Sequence, residues 1–292
     1  MHSIKDLKKR ISIIKVIQQT TQAMQIVSAV KLRRVQEAIQ NQKPYTMEIL
    51  NLMKKLVPFS EAQEERSLTH RGKLSIFQDL SCLLVLFSSN RGLCGSFNTN
   101  LFKETQQWIR ENQVEKLSLA FIGGKGYEFF KKKEFPIEAY FTEIGEKIDS
   151  DQAQLLASEL IERYTSGKFD RIYLVYNEFK NAISQKVRIH LFLPFQFEDE
   201  NLEEQPSVFM VEPSGKAILN ALIEENFKHQ IFRILLESRA SEYGARTTAM
   251  ESASQNARDT MQMLQLSYNK QRQAGITREL TEMIAGSESQ KN

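Results

Sequence analysis

The residues best placed to do chemistry lie in a glycine-rich turn, "SSNRGLCG", at positions 88–95. An apolar run, "SCLLVLF", precedes this turn, and an amphipathic run, "SFNTNLFKETQQWI", follows it. A strand that enters a tight turn and then a helix is where α/β enzymes place a nucleophile or bind a phosphate. Cys94 would be that nucleophile, but the nucleophile-elbow pattern requires a glycine where Ser96 stands.

A cysteine nucleophile also needs a general base. None of the four histidines follows a predicted strand beside an acidic residue that could orient it; they are His2, His70, His190 and His229. We therefore interpret Cys94 as a small residue in a turn. The histidines and the two cysteines, Cys82 and Cys94, show no metal-ligand spacing, so no metal and no cofactor are predicted.

A second glycine-rich segment, "FIGGKGYEFF" at 121–130, also follows a strand pattern and opens a helix. It has Phe129 where the dinucleotide fingerprint has its third glycine, and it does not continue as GK[ST]. We interpret it as a strand-to-helix turn.

The composition indicates a protein with a core and long helices. Of the 292 residues, 41% are hydrophobic and 26% charged, with only six prolines and twelve glycines. Two cysteines are too few for a disulfide framework, which favours a reducing compartment. We find no apolar run of about 18 residues or more, which predicts no membrane span, and the N-terminus passes directly into a helical pattern rather than a cleaved leader.

The charge is concentrated at one end. The net charge is +3, yet residues 1–57 carry eleven lysines and arginines against three acidic residues. A basic helix favours an acidic partner, either nucleic acid, membrane or protein. This segment lacks interleaved aromatics and any nucleic-acid motif, so we predict a protein partner and no nucleic acid.

Helical patterns occupy both ends of the chain. Apolar residues recur at helical spacing from 4 to 35, with Pro44 expected to end or kink the helix before the pattern resumes to Pro58. From 216 to about 285 there is no proline, and a row of small residues recurs every four positions from Ser241 to Ala257. Helices this long occur as coiled coils, so we predict that the two ends pair.

The middle of the chain alternates strand and helix patterns. Strand patterns occur at 82–89, 117–123, 137–142, 171–179 and 185–193, with helical patterns at about 96–113, 124–133 and 149–167. This alternation predicts a mostly parallel sheet with helices on its faces. The short link "KNAIS" predicts that the last two strands form a hairpin at a sheet edge.

The predicted fold class is therefore α/β, a long antiparallel coiled coil of N- and C-terminal helices with an inserted Rossmann-like α/β domain. The predicted segments are a shaft helix at 1–57, a globular α/β foot domain at 75–210 and a second shaft helix at 213–286. The rival interpretations are a cysteine- or nucleotide-dependent α/β enzyme with helical extensions and a DNA-binding coiled coil.

Four blocks carry a resemblance to a known family. They are "TTQAMQIVSAVKLRRVQEA" at 20–38, "SNRGLCGSFNTNLF" at 89–102, "SEYGARTTAMESASQNA" at 241–257 and "LSYNKQRQAGITRELTEMIAG" at 266–286. In this order they resemble the γ subunit family of the F-type ATP synthases. The sequence departs from the family pattern at Gln22, Asn90 and Gln255, where charged residues are usual.

The resemblance implies a non-catalytic rotor shaft that couples ion-driven rotation of a membrane ring to conformational changes at catalytic sites on β subunits. It implies as partners the α and β subunits, the ε subunit and the c-subunit ring. It also implies a peripheral position on the cytoplasmic face of a bacterial inner membrane. We expect no cofactor in this chain.

The resemblance also implies contact residues. Polar contacts to a β-subunit loop, the family's catch, match Arg272, Gln273, Thr277 and Glu279. Two further β-subunit contacts match Met24 and Arg246, and a segment near the β subunits contains Arg91 and Cys94. The c-ring contacts match Phe209 and Glu212.

Overall fold

The computed structural model describes residues 4–56, 80–142, 144, 148–195, 212 and 215–289. The elements in chain order are α1 (Ile4–Leu56), β1 (Ser81–Phe87), α2 (Phe97–Asn112), β2 (Lys116–Ile122), α3 (Gly124–Phe130), β3 (Ile137–Phe141), α4 (Ser150–Thr165), β4 (Arg171–Phe179), β5 (Gln185–Leu193) and α5 (Gly215–Ser289). The predicted strands, helices and hairpin are confirmed. The three-segment division remains a prediction, because its boundaries at 57, 75, 210 and 213 fall outside the described residues.

The chain forms two compact units, one of residues 1–29 with 246–292 and the other of residues 30–245. In the first unit, α1 and α5 run antiparallel, since Gln22 and Gln25 line a groove with residues 251–258 while Gly275 lies near Ile4. Buried and half-buried positions recur at alternating steps of three and four on both helices. They are Leu7, Ile11, Ile14, Gln18, Thr21, Gln25 and Ser28 on α1, and Met250, Ser254, Ala257, Met261, Leu264, Tyr268, Gln271 and Gly275 on α5.

This 3.5-residue repeat is that of a coiled coil, as predicted. These buried and half-buried positions form the interhelical seam. At one point the seam does not contain the residue that the apolar pattern predicts. Val27 is 55% exposed, whereas the adjacent Ser28 is 4% exposed. The interhelical seam follows the 3.5-residue repeat, which drifts away from a 3.6-residue apolar stripe over several turns. Apolar residues are thereby left on the outer face of α1, namely Ile13, Val16, Ile17, Ile26 and Val27.

The second unit is built on a five-stranded sheet in the order β3-β2-β1-β4-β5. All neighbouring strands are parallel except β4 and β5, which form the predicted antiparallel hairpin at an edge. Strand β1 is central and its side chains are buried on both faces, as expected for a parallel strand covered by helices.

Helices cover both faces of this sheet. On one face Leu83, Val85 and Phe87 of β1 join a core with α4 and with residues 219–235 of α5. On the other face, Leu84 and Leu86 pack in a core with α2 and α3. The result is the three-layer arrangement expected of a Rossmann-like domain.

Pro44 does not end the first helix. Helix α1 continues through Pro44 to Leu56, so the alternative that this residue terminates the helix is wrong. A proline inside a helix removes one backbone hydrogen bond. After it, Ile49 is 4% exposed and Met53 is 0% exposed, and both pack in the sheet core. Tertiary packing therefore keeps the helical turns after the proline in place.

Candidate functional site

The two glycine-rich turns lie side by side at the carboxyl ends of β1 and β2, and they bond to each other. The first three N–H groups of α3 donate to oxygens of the 88–95 turn: Gly124 N to Asn90 Oδ1 at 3.0 Å, Lys125 N to Ser89 O at 3.0 Å, and Gly126 N to Ser88 Oγ at 2.9 Å. A phosphate loop would direct such N–H groups at its ligand. Here the chain's own oxygens accept from them, which supports the interpretation as a structural turn.

Cys94 lies within the 88–95 turn and is 3% exposed. Its Sγ accepts from Asn98 Nδ2 at 3.3 Å, and it packs in a small cluster with Phe97 and Ala245. An active cysteine needs an accessible thiolate beside a base. The amide contact and the burial instead support a packing role for Cys94.

Helix α5 fills the crevice at the carboxyl edge of the sheet. In doubly wound sheets, ligands bind outside the carboxyl ends of the strands where the strand order reverses, here between β1 and β4. Ser241 Oγ donates to Asn177 O of β4 at 2.8 Å, and Ser238 Oγ lies 3.4 Å from Phe87 O of β1. The usual ligand position is thus occupied by the chain itself.

The four residues predicted to form the catch lie on α5 and are all exposed: Arg272, Gln273, Thr277 and Glu279. Thr277 Oγ1 donates to Gln273 O at 3.0 Å, one helical turn back. The four side chains span two turns of helix and are available to a partner.

The other predicted contacts differ in accessibility. Arg91 and Glu212 are exposed, whereas Met24 is half-buried and Arg246 is only 8% exposed. Phe209 lies outside the described residues. Of the pair in the 88–95 turn, Arg91 is exposed and Cys94 is buried.

Sequence reasoning missed the role of residues 238–245 of α5. The only signal was the row of small residues, which was expected to admit the first helix. Ser241 instead bonds to a strand carbonyl, and Ala245 packs with Cys94 and Phe97. Helical spacing could not predict that part of this row would meet the carboxyl end of a strand.

Within the described part of the chain, no three His, Cys, Asp or Glu side chains group as a metal site. The same residues contain no helix that is both long and apolar enough to cross a membrane.

The chain thus combines a coiled coil of terminal helices with an α/β domain whose ligand crevice is filled by its own helix. The family model described as ATP synthase matches residues 3–289. The chain is 38% identical over 291 residues to an ATP synthase gamma chain of Anaeromyxobacter dehalogenans, covering 99% of this chain and 100% of that one. It is 39% identical over 293 residues to the gamma chain of Geobacter metallireducens, covering 100% of both.

The chain therefore belongs to the ATP synthase gamma-chain family. It is a non-catalytic subunit of the central stalk, which confirms the predicted rotor role and does not favour the alternative of an α/β enzyme.

Solved structures share the fold. A chain of the Euglena gracilis mitochondrial ATP synthase matches with a TM-score of 0.67 at 21% identity, covering 98% of this chain and 94% of that one. A central-stalk chain from Tetrahymena thermophila matches with a TM-score of 0.59 at 23% identity, covering 80% of this chain and 99% of that one. The α/β fold class with long terminal helices is thereby confirmed.

Proposed function

We propose that this chain turns inside a ring of α and β subunits of an F-type ATP synthase, with its α/β domain bound to the ε subunit and the c-subunit ring. In this proposal the enzyme lies at the cytoplasmic face of a bacterial inner membrane. Ion flow turns the ring and the chain, and the asymmetric helices drive the β-subunit sites through their conformations.

The observation that carries this proposal is the apolar end of α5. A side chain at Gly275 would lie 3.8 Å from Ile4, which is the first described residue of α1. Every residue from 276 to 287 is exposed, including Ile276, Leu280, Met283 and Ile284. These four lie on one stripe of the helix, since they are spaced by four, three and one residues. An exposed apolar stripe favours enclosure by another protein surface.

The positive charge at the start of α1 also supports a position inside the ring of α and β subunits. The first three turns of α1 carry exposed Lys5, Lys8, Lys9 and Arg10, with Asp6 as the acidic residue among them. Long-range attraction between this basic segment and acidic loops of the surrounding subunits does not depend on one fixed contact. It therefore tolerates rotation of the shaft.

The specific contacts remain proposals. The catch with a β-subunit loop would be formed by Arg272, Gln273, Thr277 and Glu279. Other parts of the β subunits would lie near Met24, Arg246 and Arg91. Cys94 would lie in the same segment near the β subunits, buried beside Phe97 and Ala245. Phe209 and Glu212 would face the c ring.

The first test is assembly with purified α and β subunits. We expect the chain to co-elute with them as one complex and to raise their ATP hydrolysis above that of the α and β subunits alone. A chain that elutes alone and leaves their hydrolysis unchanged would refute the proposed function.

The second test addresses the catch. Replacing Gln273 and Thr277 together by alanine should lower ion-driven ATP synthesis, because both exposed side chains would lose partner contacts. Gln265→Ala, also exposed on α5, is the control and should leave synthesis unchanged. Equal synthesis by the double variant and the control would remove the catch assignment.

A further inference from the structure

One short segment of α5 is buried on every side. All eight residues from 238 to 245 are buried. Since successive residues are rotated by about 100°, eight residues cover the full circumference of the helix. By contrast, only one stripe of α5 is buried between Met250 and Gly275. A helix held along one stripe can roll on its partner, whereas a helix enclosed on all sides cannot turn about its axis without displacing its surroundings.

The sheet edge holds the first side of this segment. Ser241 is 0% exposed, and its hydroxyl donates to the carbonyl of Asn177 at 2.8 Å. Ser238, one turn earlier, approaches the carbonyl of Phe87 at 3.4 Å. These bonds link the helix to the carboxyl ends of both strands that flank the crevice.

Other elements enclose the remaining sides. Ala240 and Tyr243 pack with Leu32 of α1, and Ala245 packs with Cys94 and Phe97 after β1. At Gly244 the helix meets the β4–β5 hairpin. A Cβ placed there would lie 3.2 Å from Ala182 Cα and 3.3 Å from Phe179 Cε2. The contact with the hairpin backbone is close enough that a larger side chain would push the helix away.

We propose that residues 238–245 of α5, which we name the collar segment, form the joint through which the α/β domain transmits torque to the C-terminal helix. The segment occupies the crevice where related sheets bind a ligand, so the domain binds its own helix in place of a ligand. Ser241 and Gly244 are positioning residues that hold the helix against rotation about its axis. The inference rests on the proposed rotor function and deepens it.

The experiment uses the complete ATP synthase in inverted membrane vesicles. Two variants disturb the joint: Ser241→Val leaves the carbonyl of Asn177 without its donor, and Gly244→Val forces the helix from the hairpin. The matched control is Ser252→Val, a position on the same helix that is exposed. ATP hydrolysis and ATP-driven ion pumping are measured on the same vesicles, with and without an opposing ion gradient.

We expect both joint variants to hydrolyse ATP while pumping fewer ions per ATP. Loss of the buried Ser241 donor should shift the equilibrium between the held and the released collar segment about tenfold towards release. We therefore expect the pumping-to-hydrolysis ratio of Ser241→Val to fall at least about twofold under an opposing gradient. The fall should grow with the gradient, because load favours slippage of a helix that is held less firmly. Ser252→Val should keep the original ratio.

A purely structural role predicts a different result. If the substitutions only reduce the amount of folded enzyme, hydrolysis and pumping fall together and their ratio stays constant at every gradient, which would overturn the inference. Should the valine variants not assemble, Ser241→Ala removes the hydroxyl alone and is judged by the same ratio. Failure of the proposed function itself would appear earlier, as an unaltered chain that does not assemble with α and β subunits.

Discussion

Gly123, which joins β2 to α3, should be irreplaceable in the α/β domain, whereas the adjacent Gly124 should tolerate alanine. Gly123 has a φ of +95°, a backbone conformation that residues with a side chain rarely adopt. An ideal Cβ there would lie 2.1 Å from the backbone oxygen of Ser88. At Gly124 the nearest atom to an added Cβ is the Tyr140 hydroxyl oxygen, at 3.4 Å, which is ordinary contact.

The cost of Gly123→Ala can be worked from these contacts. Forcing a non-glycine residue to positive φ costs about 1–2 kcal/mol. Relief of the clash separates the two turns and breaks two hydrogen bonds, Ser88 N to Ile122 O at 2.8 Å and Gly126 N to Ser88 Oγ at 2.9 Å. At about 1 kcal/mol each, these bring the expected loss to about 3–4 kcal/mol. Gly124→Ala should change the free energy of unfolding by less than about 1 kcal/mol.

Urea unfolding of the full chain measures both variants. The chain has one tryptophan, Trp108 in α2, whose ring lies 4.9 Å from that of Tyr173 in β4. Its fluorescence therefore reports unfolding of the α/β domain. We expect a large fall in the urea midpoint for Gly123→Ala and a small change for Gly124→Ala. Similar midpoints for the two variants would refute the reasoning, because they would show that Ser88 does not constrain Gly123.

Three further predictions concern single groups; the stability changes are measured by urea unfolding of the full chain, and the thiol reactivity by alkylation with and without urea. Burial raises the pKa of Cys82 to about 11, so alkylation at pH 8 should require unfolding, and stability should fall as the pH rises from about 9 to about 11. Glu242→Gln should cost about 3 kcal/mol because it breaks a buried ion pair with Arg239, whereas Glu282→Gln in an exposed pair should cost under about 0.5 kcal/mol; equal costs would contradict this. Asp149→Ala should cost about 1 kcal/mol by removing the cap of α4, and Asp151→Ala about 0.3 kcal/mol; the reverse order would show that the cap is unimportant.

Much of the fold was predictable because its signals are local. The strand patterns at 82–89 and 171–179, with helical patterns between them, were enough to predict the parallel sheet. The five-residue link between β4 and β5 predicted the hairpin. Each of these inferences depends on side-chain periodicity or connection length, which short stretches of sequence carry by themselves.

Other features depend on contacts between distant parts of the chain. Pro44 alone predicts a break or a kink, and the helix continues because Ile49 and Met53 pack in the sheet core. Val27 looks like a core residue from its type, yet Ser28 lies in the seam because the interhelical repeat decides which side faces inward. Neither outcome can be derived from the local sequence.

For the candidate site, the residue types and their spacing were enough to predict that Cys94 has no suitable base and that the glycine-rich turns match no phosphate-loop pattern. What occupies the sheet crevice could be seen only in the folded chain, since Ser241 and Asn177 are 64 residues apart and their bond depends on how α5 packs on β4. The same small residues that permit a close helix pair also permit a close approach to a strand. Spacing along one helix cannot distinguish these two partners. It shows which face of the helix carries small residues, and it does not show which surface packs against that face.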